Sequence, residues 1–244
     1  FKQKTAYEIS TRDWSSDVCS SDLIGLRSRQ APTMNAPPRP RWQGPQRRIG
    51  LTGGIATGKS SVGDWLAGRG LPVLDADVYA REALAPGSPG AHAVLQRFGP
   101  QVQAPGSTAE AAVVDRAVLG RIVFAEPGER RWLEALIHPL VRQRFDAELQ
   151  RLGREPIVVL MIPLLFEAGL ESLCSEVWLV DCTQEQQLQR LMARNGLGEA
   201  EALARIQAQW PLERKRPLAD QLINNTGSQA DLAESVQRAL AVSR

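Results

Sequence analysis

A glycine-rich stretch ending in lysine and serine is the part of the sequence whose residue types and spacing predict chemistry most directly. It reads LTGGIATGKSSVG (51–63) and contains glycines five apart followed by Lys59 and Ser60. Glycines let backbone N–H groups turn toward an anion, and the start of a following helix adds positive potential. The lysine can then reach the β- and γ-phosphates of a nucleotide, and the serine hydroxyl can bind Mg²⁺. We expect nucleotide contacts from Gly53, Gly54, Ile55, Ala56, Thr57, Gly58, Lys59, Ser60 and Ser61.

The distribution of lysine sets Lys59 apart from the other positive charges of the chain. Beyond residue 23 the sequence has 24 arginines and only two lysines, Lys59 and Lys215. Because arginine supplies almost every positive charge, a lysine kept inside Gly-Lys-Ser indicates that a compact ammonium is required there. For Lys215, chance placement stays an open alternative.

Two carboxylates, Asp75 and Asp77, end the short apolar run LPVLDAD (71–77). Residues two apart on a strand point the same way, so both carboxylates are expected on one face. The end of a parallel strand beside a phosphate loop is where such sheets bind ligands. One carboxylate there can accept the proton of an attacking hydroxyl or orient hydrated Mg²⁺. The structural alternative is that an aspartate caps the helix predicted from VYAREAL.

Arg190 and Arg194 are four residues apart in QRLMARN, which places them on one side of a predicted helix. Arginines that close over a phosphoryl group stabilise its charge and exclude water. A solvated arginine face is the alternative in so arginine-rich a chain. His138, one of two histidines, precedes Pro139 on an apolar helical stripe, where it can equally be a packed or capping side chain.

The elements that must position these residues alternate between strand and helix. Helical periodicity predicts helices over 60–70 and 230–241, a pair separated by a glycine break over 185–210, and a largely helical region from 78 to 150. Apolar runs predict five strands, at 47–52, 71–77, 157–166, 176–181 and 221–225. This alternation predicts an α/β fold with a parallel sheet and helices on both faces.

The amino-acid composition limits the classes of partner and the cellular compartment expected for this protein. Lys and Arg number 29 against 27 Asp and Glu, a net charge of +2, which predicts no broad positive surface for nucleic acid. The longest apolar run, IVVLMIPLLF (157–166), is shorter than the roughly 18 residues of a membrane span. Three cysteines without CxxC spacing indicate a reducing compartment, and we expect a cytoplasmic protein in which Cys174 and Cys182 are buried thiols.

The N-terminal 46 residues differ from the rest of the chain. Residues 1–23 show no periodic pattern, and DWSSDVCSSDL resembles the conceptual translation of a sequencing adapter; an unstructured native extension is the alternative. Residues 31–46 are rich in proline, and Met34 is a plausible start. We therefore expect a leader over 1–46 and a single domain over 47–244.

With these features placed, the chain resembles the dephospho-CoA kinase family, which carries out the last step of coenzyme A biosynthesis. The resemblance runs in order from residue 47 to 225. It rests on RIGLTGGIATGKS, VLDADVYARE, APGSPG, DRAVLGRIVF, LEALIHPLVR, PLLFEAGL, QRLMARN and QWPLERKRPLADQLINN. It implies a P-loop NTPase fold with a five-stranded parallel sheet, a helical acceptor-binding insertion over roughly 80–150 and a helical lid over roughly 185–210.

The resemblance also implies an activity and roles for the residues above. The γ-phosphoryl group of ATP would pass to the ribose 3′-hydroxyl of dephospho-CoA, giving CoA and ADP. Lys59 and Ser60 would hold ATP and Mg²⁺, and Asp77 would be the general base. The remaining implied sites are Asp75, Asp77, Arg81 and His138 for the acceptor, Arg190 and Arg194 for the lid, and Asn225, beside Asn224, for a loop close to the adenine. We expect a monomer or a weak homo-oligomer.

One departure from the family pattern concerns Ala56, where the family often has glycine. We expect Ala56 to fit the loop only if its φ stays negative. Two rival functions stay open from spacing alone, another small-metabolite or nucleoside kinase and a nonenzymatic nucleotide sensor. A guanine-reading switch is excluded, because no Asn-Lys-x-Asp sequence occurs in the chain.

Overall fold

The protein is described by a computed structural model over residues 40–107 and 112–242. The strands are β1 (Arg47–Gly53), β2 (Val73–Asp75), β3 (Ile157–Met161), β4 (Glu176–Asp181) and β5 (Gln221–Asn224). The helices are α1 (Lys59–Ala67), α2 (Ala76–Glu82), α3 (Pro89–Phe98), α4 (Arg116–Ala125), α5 (Pro127–Arg151), α6 (Leu165–Ala168), α7 (Gln184–Asn195), α8 (Glu199–Gln207), α9 (Leu212–Lys215) and α10 (Gln229–Ala241). Short 3-10 turns lie at Gly99–Val102, Glu171–Leu173 and Arg216–Leu218.

The described residues divide into two units. The sheet unit comprises residues 40–76 and 148–242, and the helical unit comprises residues 77–107 and 112–147. All five strands belong to the sheet unit and pair in parallel in the order β2-β3-β1-β4-β5. Parallel strands all end at the same edge, so the loop that follows β1 lies at the carboxyl edge of the sheet. The predicted five-stranded parallel sheet is confirmed.

Both faces of the sheet are covered. Ile49 and Leu51 of β1 pack with Val62 and Leu66 of α1, and Val236 of α10 joins the same cluster. The residues that alternate with them on the neighbouring strands are also fully buried, namely Val158, Leu160, Val177 and Leu179. This burial on both sides explains why the central strands are apolar at nearly every position.

The helical unit has a core of its own. Helices α2 to α5 and the intervening turns bury an apolar cluster made of Ala80, Leu84, Ala91, Val94, Val102, Val114, Leu119, Val123, Leu133 and Ile137. Ser88 caps α3 by accepting a hydrogen bond from the Ala91 N–H, and Pro89 occupies the first helical position. Asp115 caps α4 in the same way, through the N–H groups of Ala117 and Val118.

Three boundaries differ from the sequence-based expectations. Strand β2 stops at Asp75, because α2 begins at the next residue. Strand β3 stops at Met161, and Pro163 follows, so the second half of the apolar run forms a turn and α6. The helix predicted over 60–70 ends at Ala67, and Gly68 is its C-cap. The remaining strands, the α7–glycine–α8 pair and the final helix are confirmed.

Residues 1–39, and with them the adapter-like segment, lie outside the described residues. Residues 41–46, which the sequence assigns to the leader, belong to the sheet unit and are hydrogen bonded within it. The Trp42 N–H donates to the Cys174 carbonyl, and buried Gln46 donates to the carbonyls of Leu152 and Glu155. Within the described residues, no helix combines the length and apolar character needed to cross a bilayer.

Candidate active site

The phosphate loop connects the buried end of β1 to the start of α1. Gly58 is the N-cap of α1 and adopts a left-handed conformation, with φ 98° and ψ 21°. A Cβ atom at this position would lie 2.2 Å from Nδ2 of Asn225, so only glycine fits. Among the described residues, no side chain caps α1. The first N–H groups of α1 are therefore left for an anion, as a phosphate-binding helix start requires.

Ala56 also adopts a left-handed conformation, with φ 58°, and is the one non-glycine residue with positive φ among those described. The expectation that φ stays negative there is wrong. Ala56 takes a positive φ because the backbone groups of its neighbours Ile55 and Thr57 are held by hydrogen bonds, which determine the path of the loop. A left-handed alanine costs about 1–2 kcal/mol, which those bonds must offset.

Lys59 and Ser60 form the first turn of α1. The Lys59 ammonium folds back over the loop, 3.4 Å from the Gly54 carbonyl oxygen, and its side chain is partly buried. Ser60 is exposed. Mg²⁺ that arrives with ATP keeps several waters and phosphate oxygens, so it needs only one or two protein oxygens. The exposed hydroxyl oxygen of Ser60, at the start of α1, is a suitable ligand for such an ion.

Asp75 and Asp77 do not share a strand. Asp75 is the last residue of β2, whereas Asp77 lies in the first turn of α2. The expectation that both carboxylates project from one strand face is therefore wrong, because the chain changes from strand to helix between them. Asp77 lies inside α2 and so is not the capping aspartate of the structural alternative; its carboxylate in the first turn has the lesser role of complementing the helix dipole. Both residues are partly exposed, so that role leaves Asp77 accessible.

Arg190 and Arg194 both lie on α7 but have different surroundings. Arg190 donates from Nη2 to the Asn225 carbonyl at 2.9 Å, and its Nη1 is buried without a hydrogen-bond partner in the described structure. Arg194 is exposed and donates from Nε to Oδ1 of Asn195 at 2.8 Å. Asn225 in turn donates from Nδ2 to the Thr57 carbonyl at 2.7 Å. Asn225 thus connects Arg190 to the phosphate loop.

Arg81 and His138 belong to the helical unit. Arg81 lies at the end of α2, and its Nε donates to the Asp77 carbonyl one turn earlier, at 3.1 Å. His138 lies within α5 next to Pro139 and is half-buried. The structure thus brings Asp77 and Arg81 onto one short helix and places His138 on the long helix of the same unit.

Several residues of the site were missed by sequence reasoning. The buried amides of Gln187 and Gln209 contact the backbone of Ile55, and nothing in their local sequence distinguishes them from the other glutamines. Lys215 is fully buried and paired with Glu167. Burial lowers the pKa of Lys215, the Glu167 carboxylate opposes that shift, and the positive charge of Lys59 adds to it. The scarcity of lysine was the one signal that could have identified Lys215.

The two cysteines expected to be buried are confirmed as buried, free thiols. Cys174 is fully buried, and desolvation raises the pKa of its thiol to about 12. Burial also raises the pKa of Cys182, although the nearby Arg190 partly opposes this. Neither thiol has the lowered pKa of a nucleophile at neutral pH.

Comparison with known proteins adds a family to this geometry. A family model described as dephospho-CoA kinase matches residues 47–231. The proteins named dephospho-CoA kinase from Synechococcus sp. (strain CC9605) and Parasynechococcus marenigrum (strain WH8102) are 66% and 61% identical to the chain. These alignments cover 75% and 79% of this chain and 86% and 94% of the relatives. The crystal structure of TT1252 from Thermus thermophilus matches with a TM-score of 0.68 and 40% identity, over 80% of this chain and 97% of that one.

Proposed function

Because the chain belongs to the dephospho-CoA kinase family, we propose that it transfers the γ-phosphoryl group of ATP to the ribose 3′-hydroxyl of dephospho-CoA. The products are CoA and ADP. The observation that carries this function is the family match over residues 47–231, which includes the phosphate loop and the helical unit together. The loop alone accounts for a nucleotide, whereas the acceptor follows from the family.

The nucleotide end of the reaction is assigned to the phosphate loop and α1. Backbone N–H groups of the loop and of the α1 start surround the phosphates, and the Lys59 ammonium reaches the β- and γ-phosphates. The Ser60 hydroxyl would hold Mg²⁺, and the bound ion would supply positive charge beside the phosphates. Asn225, whose side-chain amide donates to the Thr57 carbonyl at the loop, is assigned to the adenine.

The acceptor end is assigned to Asp75, Asp77, Arg81 and His138. In the transfer, the 3′-oxygen forms a bond to the γ-phosphorus while the bond from that phosphorus to the bridging oxygen of ADP breaks. The proton of the 3′-hydroxyl passes to the Asp77 carboxylate, which is partly exposed and acts as the general base. Arg81 follows one helical turn later and suits an anionic group of the acceptor.

Arg190 and Arg194 are assigned to the transferred group. The buried Nη1 of Arg190 offers a donor to a phosphate oxygen, since its Nη2 is already used by the Asn225 carbonyl. Arg194 is exposed on the next turn of α7 and can be recruited when nucleotide and acceptor are both bound. Their charge would stabilise the transition state and help to exclude water, which favours transfer over hydrolysis. We further propose that the enzyme acts in the cytoplasm as a monomer or weak homo-oligomer.

A coupled assay for ADP release tests the function. The enzyme, with Mg²⁺ and ATP, should turn over dephospho-CoA, and the CoA formed should be detected directly as the 3′-phosphorylated product. A Lys59→Ala variant serves as the control for contaminating kinases and should lose this activity. Turnover of nucleosides or sugar acids with none of dephospho-CoA would contradict the proposal and support the rival small-metabolite kinase.

A further inference from the structure

The peptide groups at Ile55, in the middle of the phosphate loop, are held from two sides by buried side-chain amides. The Ile55 N–H donates to Oε1 of Gln209 at 2.9 Å, and Nε2 of Gln187 donates to the Ile55 carbonyl at 2.8 Å. Gln187 is only 4% exposed and Gln209 only 9%. An N–H needs an acceptor and a carbonyl needs a donor, so the two amides must present opposite ends to the loop.

The side chain of Ile55 is also part of the core between α7 and α8. It is 4% exposed and packs with Leu191 and Ala202, which are fully buried. The partly buried members of this cluster are Ala56, Leu188, Met192, Leu197 and Ile206. The α7–α8 pair, predicted as a lid, is therefore packed around the tip of the phosphate loop. The loop conformation and the position of α7 are coupled through these contacts.

The hydrogen bonds surround the strained residue of the loop. Ala56 has a φ of 58° and lies between Ile55, bound by two amides, and Thr57, whose carbonyl accepts from Asn225. A strained backbone conformation persists only where its surroundings over-determine it. Gly54 provides the space for this arrangement, because a Cβ atom there would lie 2.4 Å from Nε2 of Gln187.

We propose that Gln187 and Gln209 are positioning residues that hold the phosphate loop in its left-handed, phosphate-binding conformation before the nucleotide arrives. Gln187 holds the Ile55 carbonyl, and Gln209 holds the N–H of the same residue. Loss of either amide leaves a buried backbone group without a partner, which destabilises this conformation of the loop. The loop then relaxes at Ala56. Nucleotide affinity falls in proportion to the fraction of molecules whose loop keeps the nucleotide-binding conformation.

The inference rests on the proposed function only in requiring that a nucleotide binds the loop. Its test is therefore the binding of Mg·ADP to the full chain by calorimetry, without any acceptor. Gln187→Met and Gln209→Met remove the amides at similar volume, and each should weaken Mg·ADP roughly tenfold. Gln189→Met and Gln207→Met, on exposed positions of α7 and α8, are matched controls and should bind as the wild type does. Unchanged binding by both core variants would overturn the proposal, whatever the wild-type enzyme phosphorylates.

A second change separates positioning of the loop from general support of α7 and α8. With Ala56→Gly, the left-handed conformation no longer needs enforcement, because glycine adopts it freely. Adding Ala56→Gly to Gln187→Met or Gln209→Met should recover part of the lost Mg·ADP affinity, namely the part due to relaxation at Ala56. If the affinity stays equally low, the glutamines act only through packing, and the proposal fails.

A charge-matched pair provides a further test and also serves if a methionine variant does not fold. Gln209→Glu keeps an oxygen acceptor for the Ile55 N–H, whereas Gln187→Glu replaces the donor to the Ile55 carbonyl with an acceptor. Both variants add the same carboxylate close to the loop, so repulsion of the nucleotide acts in each. Gln187→Glu should bind Mg·ADP roughly tenfold more weakly than Gln209→Glu. Equal affinities, or the opposite order, would overturn the assignment of donor and acceptor.

Discussion

Lys215 is fully buried, and its ammonium nitrogen lies 2.6 Å from Oε1 of Glu167. The same carboxylate oxygen accepts a hydrogen bond from the backbone N–H of Trp210 at 3.2 Å. Oε2 of Glu167 is buried and has no hydrogen-bond partner in the part of the chain that is described. The compact ammonium of lysine fits this space with fewer N–H groups to satisfy than a guanidinium has. Chance placement, which the sequence left open for Lys215, does not account for such an environment.

The first prediction concerns this ion pair. Lys215→Met leaves the Glu167 charge buried without its partner, so the free energy of unfolding should fall by about 3–5 kcal/mol. Urea unfolding followed by circular dichroism measures the change. In the double variant Lys215→Met/Glu167→Gln, the charge is gone and the amide oxygen can still accept from Trp210, so much of the loss should be recovered. A double variant no more stable than the single one would contradict this account.

The second prediction concerns the strain at Ala56. Ala56→Gly removes a left-handed cost of about 1–2 kcal/mol but adds chain entropy of about 0.5–1 kcal/mol to the unfolded state. The variant should therefore be more stable by up to about 1 kcal/mol in urea unfolding. Ala204→Gly, at an exposed position inside α8, is the matched control and should destabilise by about 0.5–1 kcal/mol. Destabilisation by both glycines would argue against strain at Ala56.

The third prediction is a loss of stability at alkaline pH through Cys174. Its pKa is about 12 in the fold against 9.0 for the free thiol, because desolvation disfavours the thiolate. The folded state therefore keeps the proton while the unfolded state loses it, and stability falls as pH rises above the unfolded value. The slope per thiol is at most about 1.4 kcal/mol per pH unit.

Cys174→Ala tests this pH dependence. Urea unfolding from pH 7 upward should show a shallower decline for the variant than for the wild type. The comparison at pH 7, where the thiol is protonated in both states, isolates the packing cost of the substitution. Parallel declines in the two proteins would show that Cys174 does not contribute to the alkaline slope.

The fourth prediction concerns the proposed general base. Asp77→Asn removes the proton acceptor but retains the shape of the side chain, so kcat should fall by about 10²–10⁴-fold. Mg·ATP binding should stay close to normal, because the phosphate loop and α1 are unchanged. Steady-state kinetics with dephospho-CoA and calorimetry with a nucleotide measure the two effects. Asp75→Asn, which removes the other carboxylate, is the matched variant for comparison. Near wild-type kcat in Asp77→Asn would show that Asp77 is not the general base.

Local sequence patterns predicted most of the strands and helices, because such a pattern depends only on residues that are neighbours in the chain. The apolar runs of β1, β4 and β5 and the glycine after α7 identified elements that the structure confirms. The phosphate loop was recognisable because its chemistry is concentrated in a few consecutive residues. The predicted end of β3 was wrong because apolar residues continue past the point where the backbone stops pairing, and that of β2 was wrong because α2 begins directly after Asp75.

The sequence by itself determined the parallel sheet, the phosphate loop and, through the family resemblance, the acceptor. Only the tertiary structure decided how the loop is held. The Ile55 contacts join residues 132 and 154 positions apart, and Glu167 meets Lys215 only after α6 and α9 fold together. Hydrogen bonding and burial depend on distance in space, which a linear pattern does not contain. For the same reason the left-handed Ala56 could not be foreseen, since its strain is offset by side chains far away in the chain.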